Sequence, residues 1–256
     1  MKKRVFILGV TIVLIFMLTS CGKKDEKKML SVLAAASLTD AAAEIEELYE
    51  KENPDIDLVF SFGGSGALRT QIEEGADADI FFSAAVDHMD KLKEKGLVDL
   101  DSVTGLLENS IVLIVPKDNG NIKSFSDLSS DKVKMVGIGE PESVPAGKYA
   151  LQVFKNLGLY DAVKDKFNYG QDVRTVLTWV EEESVDCGVV YATDAYTSAK
   201  VVIVSETPEG THDKVIYPVA VVSSSKHPEE AKSFLEFLKS DKIAEVFAKY
   251  GFTKAE

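Results

Sequence analysis

Beyond residue 28 the chain repeats one pattern: a short apolar run, a turn of small residues, then polar and apolar positions at helical spacing. Met29–Ala35 predicts a buried strand, Asp40–Glu52 an amphipathic helix and Asp57–Phe62 a second strand. A helix over Ser65–Glu74, a strand over Asp79–Ser83 and a helix over Val86–Lys95 continue the series. Farther on, Lys134–Ile138, Cys187–Tyr191 and Lys200–Val204 read as strands, and Lys148–Leu157 and Asp172–Glu182 as helices. Alternation of this kind predicts an α/β fold of parallel sheets covered by helices.

Two apolar runs stand apart. Ser110–Pro116, wholly apolar from Ile111 to Val115, and Ile216–Val222 predict strands at which the chain crosses between two lobes. Pro228–Lys239 and Asp241–Tyr250 predict two terminal helices. The length after residue 28 exceeds what one core of average size needs, and two α/β lobes leave a cleft between them. The expected division is 29–110 with 219–256 for lobe 1 and 111–218 for lobe 2.

The first 28 residues follow another rule. Lys2, Lys3 and Arg4 precede the apolar run Val5–Leu18, which is shorter than the roughly 20 residues a spanning helix needs, so residues 1–20 read as a secretory signal. Leu18-Thr19-Ser20-Cys21 resembles the lipobox of bacterial lipoproteins, which implies cleavage before Cys21 and lipidation of its thiol. Residues 21–28, nearly all charged after Gly22, form a solvated tether from membrane to domain.

Charge narrows the partners. The formal charge of −13 becomes −16 once the three basic residues of the leader are removed, so nucleic acid, which needs clustered Lys and Arg, is excluded as a partner. Cys187 is the second of two cysteines and falls in a predicted buried strand; with His88, His212 and His227 it makes no metal set.

Candidate chemistry lies in the turns. Ala35-Ala36-Ser37-Leu38, Phe62-Gly63-Gly64-Ser65-Gly66 and Glu140-Pro141-Glu142-Ser143-Val144-Pro145-Ala146-Gly147 each lead a predicted strand into a predicted helix. The first N–H groups of a helix lack internal partners and carry partial positive charge, so converging helix starts form an anion site without a cation.

Specific blocks then carry a family resemblance. Ala34-Ala35-Ala36-Ser37-Leu38-Thr39-Asp40-Ala41, Gly75–Ala84, Glu140–Ala150, Asp172-Val173-Arg174, Gly188–Ala195 and the ending Tyr217–Val222 with Ala248–Thr253 resemble, in order, the periplasmic molybdate-binding proteins of ABC importers. The resemblance spans Met29 to Thr253 and implies a two-lobed type II periplasmic binding protein fold with its ligand cleft between the lobes. It further implies a monomeric extracytoplasmic receptor without catalytic activity or cofactor, which binds molybdate or tungstate and docks on an ABC permease driven by its ATPase. The ligand set carried over comprises Ser37, Ser65, Ala146, Val173 and Tyr191, with Ala146 and Val173 acting through backbone amides. Arg69 and Arg174 are expected outside this neutral set. The departure is Phe62-Gly63-Gly64-Ser65-Gly66-Ala67-Leu68, where better-known members resemble Phe-Ala-Ser-Ser-Ser-Thr-Leu; the glycines are expected to loosen this loop.

Two other readings follow from the same residues. A receptor for sulfate or another oxyanion would use the same architecture. A serine hydrolase would use Ser65 in a near match to Gly-x-Ser-x-Gly, which fails at Ala67 and lacks an evident base: His88 is expected on a surface helix, His212 and His227 in charged loops.

Overall fold

The structure is a computed structural model that describes residues 27–255. The leader, Cys21 and residues 22–26 of the tether lie outside the described residues. In chain order the first elements are β1 (Lys28–Ala35), α1 (Thr39–Glu52), β2 (Ile56–Gly63), α2 (Ser65–Glu73), β3 (Ile80–Phe82), α3 (Val86–Glu94) and β4 (Thr104–Asn109). The middle of the chain forms β5 (Ile111–Pro116), β6 (Val136–Gly139), α4 (Pro145–Asn156), α5 (Tyr160–Val163), β7 (Phe167–Gly170), α6 (Val173–Glu181), β8 (Cys187–Tyr191), α7 (Ala192–Tyr196) and β9 (Val201–Glu206). The last part forms β10 (Val215–Val221), α8 (Pro228–Leu238), α9 (Asp241–Lys249) and β11 (Thr253–Lys254).

Two sheets result, one of order β11-β4-β10-β3-β1-β2 and one of order β7-β6-β8-β5-β9. Each has a parallel core: β1 runs parallel to β2 and β3, and β6 parallel to β7 and β8. The expectation of wholly parallel sheets is corrected by the strands near the lobe crossings, since β10 is antiparallel to β3 and β4, and β5 antiparallel to β8 and β9. Ser110 alone separates β4 from β5, so one nearly continuous extended stretch serves both sheets. Sequence reading had no separate strand for Thr104–Asn109, because no turn signal divides it from the apolar run that follows. The return passage lies between Glu206 and Val215, ahead of the expected boundary at residues 218 and 219, since β10 pairs with β4 from Val215 onward.

Burial explains the central strands. Leu30, Val32, Leu33, Ala34 and Ala35 of β1 are all buried, as is every residue of β5 from Ile111 to Val115, the continuous apolar signature of strands covered on both faces. Cys187 of β8 is buried in the same way, and burial pushes its thiol pKa up. In both lobes the parallel strands aim their carboxyl ends at the cleft, with β1 and β6 at the point where strand order reverses on either side. That is where open α/β sheets hold their ligands.

Candidate functional site

Each parallel strand delivers one loop or helix start to the same place. Ser37 follows β1, Ser65 opens α2 after β2, and Ala84 follows β3; from the other lobe Ala146 lies in the first turn of α4 after β6, Val173 opens α6 after β7, and Tyr191 ends β8. All six line one small cavity, about 200 Å³ with its open mouth included, together with Ala35, Ala36, Gly63, Gly64, Val144 and Pro145. The five residues expected to act together are therefore brought together, and all five are buried. The enclosed space is far too small for a typical organic ligand and suits a small ion.

The local sequence fixes which donors face inward. Pro145 is the first residue of α4 and has no N–H, so Ala146 supplies the helix's first amide donor. At α6 the Asp172 side chain caps the helix by accepting from Thr175 N–H, which leaves the Val173 amide, the first of the helix, without an intrahelical acceptor. Ser65 Oγ accepts from Ala84 N–H at 2.9 Å, so its own proton remains available to the cavity. Ser37 Oγ lies 2.8 Å from the Tyr217 hydroxyl. The Tyr191 hydroxyl is buried without a well-formed hydrogen bond and has the Tyr217 hydroxyl as a loose neighbour, the two rings standing edge to face with centroids 5.7 Å apart. A buried orphan hydroxyl costs free energy unless something fills its coordination, so this one marks a place for an acceptor. Burial holds the pKa of both tyrosines well above the usual phenol value.

Cationic groups are engaged elsewhere. Arg69 pairs with Glu73 at 3.3 Å, and Arg174 pairs through Nε with Asp194 at 2.8 Å and, across the cleft, with Asp40 of α1. Burial works against the Arg174 charge, yet Asp194 and Asp40 raise its pKa and keep it charged. Asp194 itself is pushed up to about 7, first by burial, with Arg174 pulling the other way. Lys148 of α4 and Asp87 of α3 form a second ion pair between the lobes, at 3.1 Å.

Two expectations change. His88 is buried, not on a surface face: it lies on the inner side of α3 with Met89 and Leu92, and burial pushes its pKa down to about 4, so it is neutral at physiological pH. The glycines of the second loop tighten the cleft instead of loosening it. Gly64 has φ −65°, open to any residue, so contact and not conformation calls for glycine there. A Cβ on Gly64 would lie 2.9 Å from the Gln171 oxygen and 3.0 Å from that of Ser143; one on Gly66 would lie 2.7 Å from Ser143 Cα. These are backbone atoms of the opposite lobe. Sequence reading also missed Ala84, Asn109 and Tyr217, whose hydrogen bonds to the candidate site arise only from tertiary contact.

The comparisons with known proteins agree with this architecture. Residues 30–253 match the model of a family described as bacterial extracellular solute-binding protein.

The chain belongs to that family.

A Bacillus subtilis protein named "Putative ABC transporter substrate-binding lipoprotein YvgL" is 47% identical over 230 residues, covering 90% of this chain and 88% of the relative. A Haemophilus influenzae protein named "Molybdate-binding protein ModA" is 39% identical over 228 residues, covering 88% and 89%. Among solved structures, the "substrate binding domain of putative molybdenum ABC transporter from Clostridium difficile" is 42% identical with a TM-score of 0.69, covering 90% of this chain and all of that one. The fold of this family member is thus the two-lobed type II periplasmic binding protein fold. Among the described residues no helix is long and apolar enough to cross a membrane.

Proposed function

We propose that this solute-binding protein receives molybdate, with tungstate as a near-isosteric alternative, in the cleft formed by Ser37, Ser65, Ala146, Val173 and Tyr191, and hands it to an ABC permease. The observation that carries the reading is a small cavity lined by buried residues whose polar groups are neutral donors, one of them, Tyr191 Oη, lacking a well-formed bond. A fully deprotonated tetrahedral dianion accepts at every oxygen and satisfies such a set, whereas a protonated phosphate brings a hydrogen that meets another donor. Three helix starts that line the cavity, at α2, α4 and α6, add favourable dipoles to a chain whose net charge is negative. The names of the relatives point the same way.

Sulfate is the second reading. It has the charge and shape of molybdate with shorter bonds to oxygen, and the close approach of Ser143 and Gln171 to Gly64 and Gly66 favours a compact anion. A hydrolase reading lacks a base: among the described residues no histidine nitrogen hydrogen bonds to Ser65 Oγ, which accepts from Ala84 instead.

The lipid anchor is part of the proposal. It rests on Leu18-Thr19-Ser20-Cys21 and on the lipoprotein name of the Bacillus relative. Replacement of Cys21 by Ser should release the protein from the membrane or stall its processing; retention at unchanged size contradicts the anchor.

Thermal melting with molybdate, tungstate, sulfate and hydrogen phosphate tests the ligand. A ligand at a hundred times its Kd stabilises by about 2.7 kcal/mol, so molybdate and tungstate should raise Tm by several degrees while phosphate does not. A shift with sulfate alone puts the second reading first.

A further inference from the structure

Three groups beneath Ser37 form a chain whose hydrogen-bond direction can be deduced. Asn109, the last residue of β4, accepts from Ser110 N–H through Oδ1 at 2.9 Å, which fixes the amide orientation. Its Nδ2 then donates to Thr193 Oγ1 at 2.9 Å and to the Tyr217 hydroxyl oxygen at 3.1 Å. Tyr217 is fully buried, so its own proton must find an acceptor nearby. Ser37 Oγ at 2.8 Å meets that need, while the Tyr191 hydroxyl makes no well-formed bond to it. With Tyr217 donating, Ser37 receives, and the Ser37 proton is left for the cleft.

We propose that Asn109 and Tyr217 are positioning residues that commit the Ser37 hydroxyl to donate toward the bound anion. The inference rests on the oxyanion reading of the cleft. Ser65 is committed in the same sense by Ala84 N–H, so both serine hydroxyls of the first lobe are donors before the ligand arrives. The reverse direction, Ser37 donating to Tyr217, would leave the phenol proton only the loose contact with the Tyr191 hydroxyl. Asn109 stands at the passage from one sheet to the other and also binds Thr193 of the second lobe, so the wire starts at the crossing and ends at the anion.

The test is a double-mutant cycle read by calorimetric titration of molybdate. Ser37→Ala should weaken binding about ten- to a hundredfold, the cost of a hydrogen bond to a charged group. Tyr217→Phe keeps the ring contacts with Tyr191 and Phe252 and should weaken binding about three- to tenfold in the wild type, yet less than about twofold once Ser37 is alanine, because residues acting through one another are not additive. Asn109→Ala should show the same dependence on Ser37, and it carries the cycle if Tyr217→Phe does not fold. Losses that multiply independently in the Ser37→Ala background overturn the relay while leaving the oxyanion reading intact. Absence of molybdate binding by the wild type overturns that reading, and the relay falls with it.

Discussion

The Gly66 amide of the first lobe donates to the Ser143 carbonyl of the second at 2.8 Å, a main-chain hydrogen bond made directly across the cleft. It is possible because Gly66 has no side chain: a Cβ there would lie 2.8 Å from the same oxygen. Gly66→Ala should therefore hold the lobes apart. Overpacking of this kind costs about 1–3 kcal/mol, so molybdate affinity should fall by about five- to a hundredfold. The Cβ would also lie 3.0 Å from the buried His88 ring of the same lobe, so melting without ligand should fall as well, and affinity is compared at temperatures where both proteins are folded. Small-angle scattering with saturating molybdate, compared for the two proteins, checks the closure; identical closed dimensions and affinity would show that the glycine contact is idle.

Tyr191 makes the opposite case, a group whose removal helps the empty protein. Its hydroxyl is buried without a well-formed bond, so Tyr191→Phe should leave melting without ligand unchanged or slightly raised while costing about 1.5–3 kcal/mol of molybdate affinity. Calorimetry and melting on the same pair of proteins separate the two effects. Because burial keeps the phenol pKa well above its usual value, the donor persists at alkaline pH, and wild-type affinity should be level between about pH 7.5 and 9. An unchanged affinity in the phenylalanine variant removes Tyr191 from the site.

The candidate site was legible to the extent that it is local. Ser37, Ser65, Ala146 and Val173 each follow a strand and open or precede a helix, a pattern visible in the order of residues, and Tyr191 ends an apolar run. Asn109, Tyr217 and Ala84 were not legible because their contacts come from partners far along the chain: Tyr217 meets Ser37 across 180 positions. The glycines of the second loop were misread for a related reason. Glycine suggests freedom when only its own backbone is considered, and close approach once the facing chain is known. In the fold, the parallel cores followed from apolar runs and helical spacing, whereas β4 owes its place to pairing with β10 and β11 to pairing with β4.

Val173 separates recognition by backbone from recognition by side chain. Val173→Ala keeps the amide and should leave affinity within about threefold, whereas Val173→Pro removes the donor and should cost about 1.5–3 kcal/mol. Proline is best tolerated in the first turn of a helix, where Val173 lies, so melting without ligand should stay near that of the wild type. Equal binding by both variants takes the amide out of the site.

Asp194 sets a pH dependence of stability. Its pKa is pushed up to about 7, first by burial, against the pull of Arg174 and with Asp40 and Asp172 adding to the rise. An unfolded aspartate titrates near about 3.9, so between about pH 4 and 7 the folded chain keeps a proton that the unfolded chain has released. Stability contributed by this group is therefore present at low pH and lost as pH rises toward 7. Asp194→Asn cannot titrate. Relative to that variant, wild-type Tm should fall between pH 5 and 7.5; parallel pH profiles for the two proteins would contradict the assignment.

On the proposed function, a cleft of neutral donors selects a fully deprotonated tetrahedral anion. Isothermal titration of the purified protein at pH 7.5, with molybdate in one series and phosphate in another, tests it most directly. One molybdate should bind saturably per chain, with no measurable heat of binding for phosphate at the same concentrations. Phosphate binding comparable to that of molybdate, or no saturable molybdate binding, would contradict it.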